Sequence, residues 1–132
     1  MKIAVDTNIL VRAIVGDDPI QSQLAQAELT RATLIAIATP VLCELVWVLT
    51  RGYGVGKGEI ADTVRRLIAV ANVVTNRPAV EAGLAILEAG GDFADGAIAF
   101  EGRWLGGETF VSFDRKAVHL IEAQGAAARM LA

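Results

Sequence analysis

Four acidic side chains stand where a folding chain does not ordinarily put acids, which is on solvated surfaces away from apolar runs. Asp6 directly follows the β-prone run at residues 2–5, and Asp114 directly follows another at 109–113. Glu44 is the lone charge in the apolar stretch 41–49, and Asp95 lies early in a helical segment that begins near Asp92. Carboxylates brought within a few ångströms raise one another's pKa, and a divalent cation relieves the repulsion. Mg²⁺ takes oxygen ligands, keeps several waters and needs only a few carboxylates, and Mn²⁺ accepts similar oxygen-rich sites. Such an ion polarises a phosphate oxygen and activates a water. Asp6, Glu44, Asp95 and Asp114 together therefore point to metal-assisted phosphodiester chemistry.

Each acid also has a plainer reading. Asp6 can close an Asx turn, with Thr7 and Asn8 capping the helix beyond. Glu44 can be a solvated helical glutamate. Asp92 fits the N-cap position and Asp95 the N3 position of one helix, where free amides and the helix dipole favour negative charge. Asp114 can cap the element that starts at Arg115. Thr7 is placed to orient Asp6 or touch a metal-bound water, and Ser112 to support the Asp114 loop. His119, between Val118 and Leu120, reads as a partly buried structural histidine, and Cys43 as a small buried hydrophobe. Trp47, Phe93, Phe100 and Phe110 read as core; Tyr53 and Trp104 could be exposed and stack on a base.

The elements that must position these residues alternate between strand and helix. Residues 2–5 read as a strand, 9–15 and 21–33 as helices, and 34–38 as a buried strand. Thr39 and Pro40 read as N-cap and N1 of a helix through Leu49. An amphipathic helix at 57–70 and a brief strand at 72–75 follow. A helix opens at 76–78 and runs to about residue 88, Gly90 and Gly91 form a hinge, and another helix runs from Asp92 to about Trp104. Residues 109–113 form a strand, 115–121 a short terminal element, and the alanine-rich tail a final strand with a frayed end. Buried strands without polar alternation, separated by helices, predict α/β architecture with a mostly parallel sheet covered on both faces. The carboxyl ends of such strands line the ligand crevice of open α/β sheets, and Asp6 and Asp114 stand there.

The 132-residue length suits one domain spanning 1–132, and 54% hydrophobic residues supply an ordinary core. One cysteine rules out an internal disulfide framework and a Cys-rich zinc site. The start lacks the continued apolar region of a signal peptide, and no apolar run is long enough for a bilayer, so the expected location is cytoplasmic. Net charge is −3, which four metal-holding acids would by themselves outweigh. Arg51, Lys57, Arg65, Arg66, Arg77, Arg103, Arg115 and Lys116 are available for a phosphate-binding rim. The glycines at 52, 54, 56 and 58 lack the GxxxxGK[ST] pattern and read as a mobile turn.

The runs Val5-Asp6-Thr7-Asn8-Ile9-Leu10-Val11-Arg12, Glu44-Leu45-Val46-Trp47-Val48-Leu49, Asp92-Phe93-Ala94-Asp95-Gly96-Ala97-Ile98-Ala99 and Ser112-Phe113-Asp114 resemble, in order, the four acidic motifs of PIN-domain ribonucleases. The likeness is greatest to the VapC-type toxins of toxin–antitoxin pairs, with Gly96 where alanine is more usual. The resemblance implies a three-layer α/β/α sandwich around a short parallel sheet, with Asp6, Glu44, Asp95 and Asp114 as the catalytic, metal-binding set and Asp92 beside them. It implies Mg²⁺ or Mn²⁺, endonucleolytic cleavage of RNA, a homodimer and a cognate antitoxin, with promoter DNA reached only through that antitoxin. Products with 5′-phosphate and 3′-hydroxyl ends are expected, from in-line attack of water on phosphorus. A degenerate PIN-like module that binds RNA or protein, and a nuclease acting on DNA, are the alternatives.

Overall fold

A computed structural model describes residues 1–131. These fall into two compact units, Met1–Asn76 and the residues from Arg77 onward.

The first unit contains β1 (Lys2–Ala4), α1 (Thr7–Val15), α2 (Pro19–Arg31), β2 (Leu34–Ala36), α3 (Thr39–Arg51), α4 (Lys57–Ile68) and β3 (Val73–Val74). Its three strands pair in parallel in chain order, with Ile3 opposite Ile35 and Ile35 opposite Val73. Each parallel step needs a helical crossover, and α1–α2 and α3–α4 are those crossovers. The core takes Leu10 from α1, Leu42, Leu45, Val46 and Leu49 from α3, and Ile60, Val64 and Ile68 from α4. These spacings of three and four residues put one stripe of each helix inside.

The second unit contains α5 (Arg77–Glu88), α6 (Phe93–Trp104), β4 (Phe110–Ser112), α7 (Arg115–Ala123) and β5 (Ala128–Met130). Strands β4 and β5 are parallel, with Val111 opposite Arg129. Phe93 is fully buried, and Phe110 and Leu120 pack against Ile86, Ala99 and Ile121. The elements and their pairing are those of the α/β/α class with short parallel sheets, as the alternation of strands and helices predicts.

Several local expectations change. The strands are shorter than their apolar runs, because only two or three residues of each find a partner in a neighbouring strand. Thr39 is not an N-cap: α3 is capped by Ala38 without a side-chain bond, Thr39 is buried in the first turn, and Pro40 sits where its missing N–H costs nothing. Thr7 and Asn8 do not cap α1, because Asp6 does. Trp47 is not core: it is 62% exposed, since α3 buries Leu42, Leu45, Val46 and Leu49 and Trp47 lies about 200° around the helix from Leu45. Phe100 and Phe110 are half-buried, as is Cys43, and His119 is exposed. Tyr53 is exposed but committed, donating to Asp17 Oδ2 at 2.8 Å. That bond links the glycine-rich turn to the α1–α2 connection. Gly90 and Gly91 end α5 as a hydrogen-bonded turn rather than a hinge, with Gly90 at φ 97° and the Gly91 amide on the Ile86 carbonyl at 2.8 Å.

Gly96 is a packing requirement. A Cβ there would run into the Ala82 carbonyl oxygen of α5 and lie 2.8 Å from Ile86 Cγ1, so α5 and α6 approach as closely as they do only because position 96 has no side chain. Gly96→Ala should therefore destabilise the fold by about 1–3 kcal/mol, the usual cost of overpacking, although alanine is the better helix former. Chemical denaturation of the two proteins measures this; equal or greater stability of the variant would show that the helices part without cost.

Candidate metal and nuclease site

Asp6 and Asp114, with Asp92 beside the candidate set, cap the starts of helices, and Asp95 lies in the first turn of one. Asp6 is extended (φ −91°, ψ 175°) and its Oδ1 accepts from the Ile9 amide at 3.2 Å, capping α1 one residue past a buried Val5. Asp92 Oδ1 accepts from the Ala94 amide at 3.4 Å and caps α6. Asp114 Oδ1 accepts from the Ala117 amide at 3.1 Å and caps α7. The capping reading of Asp92 and Asp114 is thus correct, and Asp6 is itself the cap where Thr7 and Asn8 were expected to be. Capping does not compete with ligation, because a carboxylate has two oxygens and about four acceptor positions. Ser112 supports this loop as expected, its Oγ accepting from the Asp114 amide at 2.9 Å.

In the first unit, Thr7 does what the sequence did not show. Its hydroxyl, on a nearly buried side chain, donates to Glu44 Oε1 at 3.0 Å. The hydroxyl that follows Asp6 in the chain thus orients the carboxylate of α3. Glu44 itself is exposed, in the second turn of α3. The contact joins residues 37 apart in sequence, so no local pattern could have revealed it. A shallow groove near Asp6 is lined also by Asn8, Ile9, Arg12, Gln21 and Glu28. Arg12 lies along it, held by Asp17 Oδ1 at 3.2 Å and Gln21 Oε1 at 2.7 Å.

In the second unit, Asp95 is half-buried in the first turn of α6. Burial pushes its carboxyl above the usual aspartate range, and the negative charges of Asp92 and then Asp114 push it the same way. The helix dipole favours a charge at this position by about 0.3–1 kcal/mol at exposed sites, and here it is overcome. Like charges gathered around a partly desolvated carboxylate are the condition that a cation relieves. The donor chemistry therefore suits Mg²⁺ or Mn²⁺. Among the described residues, however, no three or more Asp, Glu, His or Cys side chains form a group that could hold a metal ion. Within the first unit Thr7 thus holds Glu44, and within the second Asp95 lies in electrostatic reach of Asp92 and Asp114.

The chain matches the PIN domain family over residues 3–122, which takes in every candidate acid. It belongs to that family. Comparison with curated proteins and with solved structures gives no match. As a PIN domain, the chain is a nuclease-like module, and its four resemblance motifs all lie inside the matched span. Among the described residues, no helix is long and apolar enough to cross a membrane.

The raised Asp95 pKa has a stability consequence. A carboxyl whose folded pKa exceeds its unfolded value costs stability as pH rises from the unfolded value, and the cost is complete above the folded pKa. In metal-free buffer near neutral pH, Asp95→Asn should therefore unfold at a higher temperature than the parent chain. The advantage should vanish in acid below the aspartate range, where the parent carboxyl is protonated. Thermal unfolding at both pH values tests this, and a less stable variant at neutral pH would reverse the sign of the local electrostatics.

Proposed function

We propose that this PIN domain is a divalent-metal-dependent endoribonuclease, acting as the toxin of a toxin–antitoxin pair, as a single nuclease domain in the cytoplasm. The observation that carries the reading is the family match across Asp6, Glu44, Asp95 and Asp114, supported by the negative charges of Asp92 and Asp114 acting on half-buried Asp95. These four acids are the proposed ligand set for Mg²⁺ or Mn²⁺. A bound divalent cation supplies Lewis acidity at a phosphate oxygen and an activated water at neutral pH.

The chain's own residues have distinct parts in this proposal. Asp6 presents one carboxylate oxygen while the other fixes it to the Ile9 amide. Thr7 holds Glu44 in one orientation, which removes rotamer freedom that ligation would otherwise have to overcome. Asp114, fixed by the Ala117 amide, and Asp95 complete the negative field. Arginine and lysine around the acids neutralise flanking phosphates, which makes RNA binding salt-sensitive. An antitoxin segment in or beside the acidic groove, and a homodimer, belong to the same proposal.

The second reading is a PIN-like module that binds RNA or protein without catalysis. Cleavage assays separate the two. The purified chain should cut single-stranded RNA with Mg²⁺ or Mn²⁺, leave 5′-phosphate ends, and stop in EDTA. Asp6→Asn should lose about 100-fold or more of that activity, since a cation at the phosphate contributes several kcal/mol and 1.36 kcal/mol is tenfold in rate. Undiminished cleavage by Asp6→Asn, or cleavage in EDTA, would defeat the mechanism, cyclic phosphate products would redirect it, and no cleavage under any condition would favour the binding module. Thr7→Val should reduce the metal-dependent rate while Thr7→Ser retains it; equal rates for all three would leave the Thr7 hydroxyl without a role in orienting Glu44.

A further inference from the structure

The outer face of α3 carries an arrangement that the acidic set does not use. Pro40, Glu44, Trp47 and Arg51 are all exposed and follow one another at helical spacings of four, three and four residues. They form a single stripe down the helix. Trp47 is 62% exposed, and a lone exposed aromatic needs no explanation by itself. Its surroundings are what inform. The residues one turn away on either side are Cys43, Glu44, Thr50 and Arg51, of which none is a large apolar side chain. Along its own helix, Trp47 has Glu44 and Arg51 one turn away on either side and no large apolar side chain at those positions, unlike the centre of a protein-docking patch, which extends over neighbouring apolar groups. A flat π surface flanked by an acid and a guanidinium matches a different partner. Proteins that hold single-stranded nucleic acid pair aromatic platforms for bases with cations for phosphates.

We propose that the Glu44–Trp47–Arg51 stripe of α3 is a track for single-stranded RNA, with one base stacked on Trp47 and a neighbouring phosphate held by Arg51. The proposal rests on the nuclease reading above, in which Glu44 serves the scissile phosphate. At about 1.5 Å rise per residue, Trp47 stands about 4.5 Å along the helix from Glu44, and Arg51 about 6 Å farther. The Thr7 hydroxyl fixes Glu44 Oε1 at the head of the stripe, so the helix spaces the cutting end from the base platform. RNA is favoured over duplex because only unstacked bases offer their faces.

Fluorescence anisotropy with labelled single-stranded RNA, with Ca²⁺ and in EDTA, tests the track. Trp47→Ala should weaken binding about tenfold or more, Trp47→Phe should retain most of it, and both should unfold like the parent chain because the site is exposed. Arg51→Ala should lower the salt slope by about 0.7, one phosphate contact on a single strand. In a Trp104→Phe background the remaining tryptophan is Trp47, and RNA should quench its emission. Parent-like RNA affinity and unquenched emission would overturn the track. So would sedimentation showing that Trp47→Ala converts a dimer to a monomer, which would assign the indole to a second copy of the chain. If the parent chain cleaves RNA and Trp47→Ala binds it equally well, the track alone fails; if the parent neither binds nor cleaves RNA, both readings fall.

Discussion

A carboxylate closing the first turn of a helix is the interaction on which the candidate site depends. The first amides of a helix have no intrahelical partner, and Asp6, Asp92 and Asp114 each satisfy one. Such a cap contributes about 0.5–2 kcal/mol. It also fixes one oxygen of each side chain at a helix mouth and leaves the second oxygen's acceptor capacity for other work. Asp18 shows the same device with no candidate role, capping α2 through the Gln21 amide at 3.0 Å. Capping therefore does not mark a functional acid, and function has to come from what surrounds the cap.

Those surroundings differ between the two units. In the first, a strand end, a capping aspartate and a hydroxyl follow one another, and the hydroxyl reaches across to Glu44. In the second, Asp95 carries the electrostatic strain: it is not itself the cap but the third residue of a helix whose cap is another aspartate. Gly96, next in the chain, lets α6 press against α5, and Asp95 shares that first turn and its partial burial. Gly96, where alanine is more usual in the family, is thus a packing contact beside the acid.

The alternation of strands and helices, the helix starts at Asp92 and Arg115, and the identity of the acids were legible because each depends on a few consecutive residues. Capping signals and apolar periodicity are local. Trp47 was misread because the run 41–49 is apolar almost throughout, so composition could not say which stripe faces inward; α3 and its neighbours decided that Leu42, Leu45, Val46 and Leu49 do. The Thr7–Glu44 bond and the Tyr53–Asp17 bond span 37 and 36 residues, and pairings at that range depend on the fold rather than on spacing. The Asp95 environment was legible only in part, since the sequence offered the neighbouring acids but not the burial.

In the proposed function these carboxylates bind one class of ligand, a hard divalent cation, rather than serving as caps alone. Mn²⁺ titrated into the metal-stripped chain, followed by the loss of the free-ion magnetic resonance signal, tests it directly. Binding should be saturable and weaken about tenfold or more in Glu44→Gln and separately in Asp95→Asn, proteins whose helix caps are all intact. Equal Mn²⁺ binding by the parent and both variants, or none by the parent, would contradict it.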